Sequence, residues 1–342
     1  MRRSLHCLFL LLIALTGIAR RCEADSGKNQ EVLFMWWNVE NLFDTVNDPA
    51  TRDDDFTPAG KMNWTGKRLA LKEMRIRYIL SAIEANRDYR KFPDVLAFAE
   101  VENLKLFEET LRGFRGISYS IIYHETPDPR GIDIGLAFNP RTITSSGSKA
   151  YTVNLHGAPT RKIIVAGLSI KGHPFHVVLN HWPSRAFDAS WSEEKRLIAA
   201  SVARHIIDSL RIASPAAAIV VMGDFNDEPA NRSIRDALGS SFSREKVRAG
   251  GDRLLYNCWS GYKGIGSYYF HGHWQQIDQV LLSKGMLLNR GLSYHDGDFR
   301  CLAFSRMLVP AGKMPWSTYN KRTYSGGYSD HLPLLLKARI EP

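Results

Sequence analysis

Cysteine is scarce: four residues in a chain of 342. Cys7 and Cys22 fall within or beside an N-terminal apolar stretch, leaving Cys258 and Cys301, which could form one disulfide in an oxidising compartment. No Cys/His spacing resembles a zinc site. Long apolar runs are equally rare. The longest uncharged one, SLHCLFLLLIALTGIA from Ser4 to Ala19, falls short of the ~20 residues that span a bilayer, and no later segment comes closer. Pro/Ser-rich linkers and short-period repeats are missing too, so one domain from about Asp25 to Pro342 is expected. With 44% hydrophobic residues, such a chain is ample for one large core or two modest ones.

Arg2 and Arg3 precede the apolar run, and small and then polar residues follow it, which reads as a secretory signal peptide over residues 1–24. An uncleaved anchor is the alternative reading. Export to a periplasm or the medium is therefore expected. Removing that segment takes away four Arg and one Glu, so the net charge of +10 falls to about +7. A basic balance suits polyanionic partners such as nucleic acid or anionic headgroups.

Strand-like runs dominate what remains: VLFMWW, DVLAFAE, YSIIYH, IDIGLAF, KIIVAGLSI, FHVVLNH, AAIVVMGD, IDQVLL and LPLLLKARI. Two segments are expected to be helical. Lys67 to Asn86 carries the stripe Leu71, Met74, Tyr78, Leu80 and Ile83; Ser192 to Leu210 carries Leu197, Ile198, Val202, Ile206 and Leu210. Ser192 is the expected N-cap of the second, with Glu193 and Glu194 in its first turn. Strands outnumber helices and the helices fall between strand groups, which suggests two sheets packed face to face with helices outside. Residues 45–66 and 294–327 read as loops.

Polar residues recur where buried strands stop or start. Asn38 ends FMWWN, Glu100 ends DVLAFAE, Asn180 and His181 end HVVLNH, and Asp224 and Asn226 end VVMGDFN. Asp278 opens IDQVLL, and Asp330 and His331 precede the last strand. Asp224 and Asn226, two apart, would share one face of an extended strand. A single such residue is ordinarily a turn former, but six sites drawn only from Asn, Asp, Glu and His are harder to dismiss. If two sheets bring these ends together, several carboxylates are buried at once, which is unfavourable unless a cation neutralises them. Oxygen ligands without thiolates suit Mg²⁺ or Mn²⁺. With two histidines nearby, the inventory suits metal-assisted attack of water on a phosphate ester.

The ordered set WNVENLFD, LAFAEVEN, RGIDIGLAF, NHWPSR, GDFNDEP, WQQIDQVLLS and YSDHLPLL, from Trp37 to Leu335, resembles the endonuclease/exonuclease/phosphatase superfamily, whose fold is DNase I-like. The resemblance implies an α+β class: a four-layer αββα sandwich of two packed mixed sheets flanked by helices. It also implies a divalent-metal phosphoesterase, with Mg²⁺ as the expected ion and Mn²⁺ or Ca²⁺ as substitutes. Carried over by position, Glu100 is the main metal ligand, with Asn38 and Asp330 near the metal or phosphate. Asp224 and Asn226 match the water-activating and phosphate-positioning pair. His331 matches the histidine on the scissile phosphate, Asp278 the carboxylate that orients it, and His181 the second histidine of nuclease-like members.

Other nearby residues have milder readings. Glu40 and Glu102 lie just past strand ends and read as turn or cap residues. Arg130 and Asp133 could contact phosphate and support His181, or form a structural salt bridge. Arg185 could touch the substrate backbone. Asp53, Asp54 and Asp55 read as a solvated loop, with a second cation site as the sharper alternative. The expected activity is an exported phosphodiesterase, first an endonuclease acting on DNA or RNA. The alternatives are a phosphomonoesterase, a phospholipid or inositol-phosphate phosphoesterase, and an inactive binding module on the same scaffold. The expected partner is nucleic acid as substrate, for a monomer without a stable protein partner.

Overall fold

All nine expected strand segments form strands in the computed structural model, which describes residues 31–185, 189–250, 253–309 and 313–341. The expected signal segment lies outside the described residues. In chain order the strands are β1 (Glu31–Leu42), β2 (Val95–Val101), β3 (Ser120–Tyr123), β4 (Asp133–Phe138), β5 (Ile143–Tyr151), β6 (Ile163–Ile170), β7 (His173–His181), β8 (Ala218–Asp224) and β9 (Ser240–Ser241). They continue with β10 (Leu255–Asn257), β11 (Tyr268–Phe270), β12 (His273–Gln275), β13 (Asp278–Leu282), β14 (Gly291–Ser293), β15 (Phe299–Cys301), β16 (Tyr319–Asn320), β17 (Thr323–Tyr324) and β18 (Leu334–Glu341). The helices are α1 (Gly66–Ala85), α2 (Leu104–Leu111), α3 (Ala189–Ala213) and α4 (Arg244–Ala249).

Two seven-stranded sheets carry the architecture. One runs β14–β18–β1–β2–β4–β3 with β15 also on β18; the other runs β5–β6–β7–β8–β13–β10–β9. Both are mixed: β1 and β2 pair in parallel, as do β7 and β8, while most other neighbours are antiparallel. Side-chain parity separates the layers. Val220 and Met222 of β8 join the central core between the sheets, and Ile219 and Val221 pack outward with α3. Phe175, Val177 and Leu179 of β7 and Val280 and Leu282 of β13 also face the centre. On the outer side of the first sheet, Trp37 packs edge to face on Phe98, and Phe98 on Phe107 of α2. The chain is thus an αββα sandwich.

The helices correct the expected stripes. On α1 the buried positions are Lys72, Ile76, Ile79, Leu80 and Ile83, whereas Met74 and Tyr78 are 58% and 40% exposed. A lysine therefore occupies the core face. On α3 the buried seam is Ala199, Ala200, Ala203, Ile206 and Ile207, because small residues let the helix approach the sheet; Leu197, Ile198, Val202 and Leu210 flank it half-buried. The helix also begins at Ala189, so Ser192 is inside it and not its cap. Loop composition hid the short strands β15 to β17, and the polar edge strand β5 has no apolar alternation to reveal it.

Candidate active site

Three neighbouring strands of the second sheet end in one row of polar side chains. His181 of β7 lies in register with Asp224 of β8, and Asp224 with Asp278 of β13. Each shares parity with the inward-facing core residues of its strand, so all three project into the seam between the sheets. Gly223 belongs to this packing, since a Cβ there would collide with the Asn180 carbonyl oxygen. Strand geometry stops at Asp224. Asn226 has a left-handed backbone (φ 52°), and its N–H donates to Asp224 Oδ1 at 2.9 Å in an Asx-type turn. The shared strand face expected of Asp224 and Asn226 therefore does not exist; the turn places Asn226, whose Nδ2 donates to Trp182 O at 3.0 Å.

The first sheet contributes from irregular backbone. Asn38 follows Phe34 and Trp36 in parity, and register breaks occur just beyond it in β1 and at the end of β2. Glu100 sits in that break with φ 63°, beside Glu40 and Asn41 at 55° and 52°. Left-handed conformations of non-glycine residues concentrated at one point indicate backbone strain held by the surroundings. Asn38 Nδ2 bridges Glu100 Oε1 and Asp224 Oδ2 at 3.3 and 3.2 Å, while its Oδ1 accepts the Glu40 N–H. Asn38 thus faces the carboxylates with its amide N–H and orients them.

His331 is held from behind. Its Nδ1 lies 2.6 Å from Asp278 Oδ2, which also accepts from Ser267 Oγ at 2.6 Å; Asp278 Oδ1 accepts from Trp36 Nε1 at 2.9 Å. The other ring nitrogen, Nε2, faces Asp224 Oδ2 at 3.9 Å and Asp330 Oδ1 at 4.0 Å. Burial works against a charge on His331, but Asp278 and Asp330 outweigh it and raise its pKa well above the usual value. His181 goes the opposite way: burial first, then Arg161 and Arg130, hold it far below the usual value and therefore neutral. Its Nε2 stands 3.6 Å from Asp224 Oδ2 and 3.8 Å from Glu100 Oε1.

The carboxylates are in excess over fixed positive charge. Burial, resisted by His331 and reinforced by Asp278, pushes Asp224 up to about 7. Burial and Glu100 likewise push Asp330 up to about 6 against His331. Oxygen donors crowded until they hold protons are what a hard divalent cation relieves, so this donor set fits such an ion. Asp224, Asp278 and His331 offer ligand atoms within 4.8 Å of one another. Asp278 already accepts from Trp36 and Ser267 and pairs with His331, so Glu100, Asp224 and Asp330 are the carboxylates that could hold such an ion with the least competition.

Side chains that the strand-tip pattern does not mark as catalytic complete the site. Arg161, buried, donates to the carbonyls of His181 and Trp182 and to Asp128 at 2.6 Å, fixing the end of β7. Glu40 is no ordinary turn residue: its carboxylate accepts the N–H groups of Thr318, Tyr319 and Asp330 at 2.6, 3.0 and 3.0 Å. Lys72 Nζ donates to Thr318 Oγ1 and Tyr328 O at 2.5 and 2.8 Å. Together they clasp the segment that delivers Asp330 and His331.

The remaining candidates meet different surroundings. Arg130 pairs with Asp128 at 3.4 Å and adds positive charge near His181, but Asp133 does not support that histidine, because Tyr123 and Thr126 occupy its carboxylate. Arg185 Nε donates to Asn226 O at 2.6 Å. Asp53 is buried and caps Asp48 N and Thr51 Oγ1; only Asp54 and Asp55 lie in solvent-facing turns. Glu102 is buried, and it accepts the Asp44 N–H at 2.6 Å. Cys258 and Cys301 are both buried and free, so the possible disulfide is not formed.

The family model of the Endonuclease/Exonuclease/phosphatase family matches residues 33–339, and the chain belongs to that family of phosphoester hydrolases. No curated protein sequence matches it. Among solved structures, an endonuclease/exonuclease/phosphatase family protein from Bacteroides thetaiotaomicron is 14% identical with a TM-score of 0.55, over 91% of this chain and 95% of that one. TDP2 from D. rerio, complexed with a single-strand DNA product, is 14% identical with a TM-score of 0.55, over 90% and 98%. A mannosyl-6-phosphatase from Bacteroides thetaiotaomicron is 12% identical with a TM-score of 0.55, over 90% and 99%. At such identities the likeness is one of fold.

Proposed function

We propose that the protein is an exported, Mg²⁺-dependent phosphodiesterase that hydrolyses nucleic acid. The observation that supports this most is the seam itself, where His181, Asp224 and Asp278 from one sheet meet Asn38 and Glu100 from the other, with Asp330 and His331 closing the third side. A bound divalent ion there would supply charge neutralisation and Lewis-acid polarisation of the phosphate. Glu100 and Asp330 would hold it. Charged His331, fixed by Asp278, donates from Nε2 to a phosphate oxygen and stabilises the negative charge that develops there. Asp224, held by the Asn38 amide and the Asn226 N–H, accepts the proton of the attacking water. Asn38 keeps the Asp224 and Glu100 oxygens apart and oriented.

A polynucleotide is the substrate that fits a basic chain, net +10 over its full length and about +7 once residues 1–24 are removed. The deciding experiment incubates the purified protein with plasmid DNA, RNA, sphingomyelin and inositol phosphates, with and without Mg²⁺. Mg²⁺-dependent cutting of DNA or RNA is the expected result. Turnover of lipid or inositol phosphate alone would replace the nuclease reading by the alternative phosphoesterases, and no turnover of any would point to a binding module. Export is tested separately, by comparing the N-terminal residue of secreted protein with Asp25.

A further inference from the structure

Outward from His331 stands a hairpin, β11–β12, with more rings than its own fold needs. Tyr268, Tyr269, Phe270, His271, His273 and Trp274 surround a two-residue turn, His271–Gly272, in which both φ angles are positive (48° and 86°). Such turns match the twist of a tight hairpin, so strand parity holds on either side. Tyr269 and Trp274 meet on one face, ring centroids 5.4 Å apart. Tyr268 and Phe270 share the other, centroids 6.2 Å apart and only 23° from parallel.

That second face is continuous with the catalytic site. Tyr268 pairs with His331 through a backbone bridge, and its ring lies 4.7 Å from the imidazole. Ser267, one residue before, bonds Asp278. Gln275, opposite Tyr268 in the hairpin, accepts from Arg185 Nη1 at 3.4 Å. The rings of His331, Tyr268 and Phe270 therefore lead outward from the position of the reacting phosphate, with a cation along the same wall. The last ring, Phe270, is 48% exposed. Among the rings of the described residues, Phe270 meets only Tyr268 and, edge-on at 4.0 Å, His271. A half-exposed apolar ring at a hairpin tip contributes little to the core, so its presence calls for a ligand with a flat face.

We propose that the Tyr268–Phe270 face is a nucleobase platform, which stacks the base of a nucleotide flanking the scissile phosphate while Arg185 meets a neighbouring phosphate. This rests on the nucleic-acid reading above and sharpens it. Bases inside a duplex are already stacked on one another, so a platform of this kind selects single-stranded or frayed substrate. A membrane contact through Phe270 is the competing use of an exposed ring. The near-parallel alignment with Tyr268 and the polar His271 and His273 beside it favour a single planar partner over a lipid surface.

The test uses the full-length protein carrying Glu100→Gln to prevent cutting, and a short single strand containing one 2-aminopurine, whose fluorescence is quenched on stacking. Binding is followed by anisotropy of an end label and stacking by 2-aminopurine emission. The expected result is quenching on binding, its loss in Phe270→Ala with roughly 10-fold weaker binding, and its return in Phe270→Trp. An abasic residue at the same place should weaken binding similarly, and Phe270→Ala should then add nothing further. Tight binding indifferent to both changes overturns the platform and leaves the nuclease reading standing. No binding of any polynucleotide, together with no cutting by the unsubstituted protein, overturns both. Attachment to sphingomyelin vesicles that Phe270→Ala abolishes, without base quenching, makes the hairpin a membrane contact instead.

Discussion

The two walls of the active site are built differently. On the second sheet, His181, Asp224 and Asp278 sit on adjacent hydrogen-bonded strands, in register and on one face. Opposite them, Glu100 sits in a backbone break at positive φ, and Asp330 and His331 end a segment clasped by Glu40 and Lys72. One wall is positioned by local strand geometry. The other depends on contacts between residues more than two hundred positions apart, such as Lys72 with Thr318 and Glu40 with Asp330. A ladder resists a single substitution; a clasp of two buried charges does not.

The largest effect should come from the irregular wall. Glu100→Gln removes a charge from the metal position without removing packing, and turnover should fall on the order of 10³-fold with the thermal midpoint preserved. Unchanged activity with unchanged Mg²⁺ dependence would take Glu100 out of the site. Next comes the link between the walls. His331→Ala and Asp278→Ala should each lose about 10²-fold or more, and the double variant should be little worse than His331→Ala, because Asp278 acts through the imidazole. Losses that multiply would separate the two residues.

Lys72→Met probes the clasp directly. It strands the buried Glu40 carboxylate and frees Thr318 and Tyr328, so stability should drop by about 3 kcal/mol. Activity of the still-folded protein, assayed well below its melting temperature, should fall roughly 10-fold through displacement of Asp330 and His331. Asp224→Asn, on the ladder, should do the reverse: cripple turnover and leave the melting temperature within a few degrees. Equal melting losses in the two variants would erase the distinction between the walls.

The smallest effect is one of pH on metal-free protein. Asp224 and Glu40 are raised to about 7 and Asp330 to about 6, chiefly by burial. Carboxyls raised on folding bind more protons in the native state, so their stabilisation is complete below about pH 4 and is lost as pH rises through 6 to 7. His331, also raised, adds to the loss above its ordinary value; lowered His181 opposes it at the acid end. Without metal, the melting temperature should fall by several degrees between pH 5 and 8, and millimolar Mg²⁺ should flatten that slope. A metal-free slope of the opposite sign would contradict the carboxylate excess.

Sequence showed the ladder far better than the clasp. Apolar runs bounded at one end by Asp, Asn or His marked β7, β8 and β13, because strand parity is a local property that spacing alone reveals. Glu100 was visible as a residue type, yet nothing in its neighbourhood announces a left-handed backbone. Asn226 misled, because the two-residue spacing means one face only while the chain stays extended. Lys72 was invisible for a different reason: a lysine in a helix reads as solvent-facing, and only its partners at Thr318 and Tyr328 explain its burial. Trp36 carried the right parity with Asn38, but its indole N–H acts on Asp278, which is 242 residues away.

The two cysteines among the described residues have a practical corollary. Both thiols are enclosed, and burial raises them well above the usual range, so neither is a thiolate at neutral pH. Folding then asks nothing of an oxidant. The chain should reach the same structure in a reducing cytosol as outside the cell, and a thiol-reactive dye should label these two positions only after denaturation.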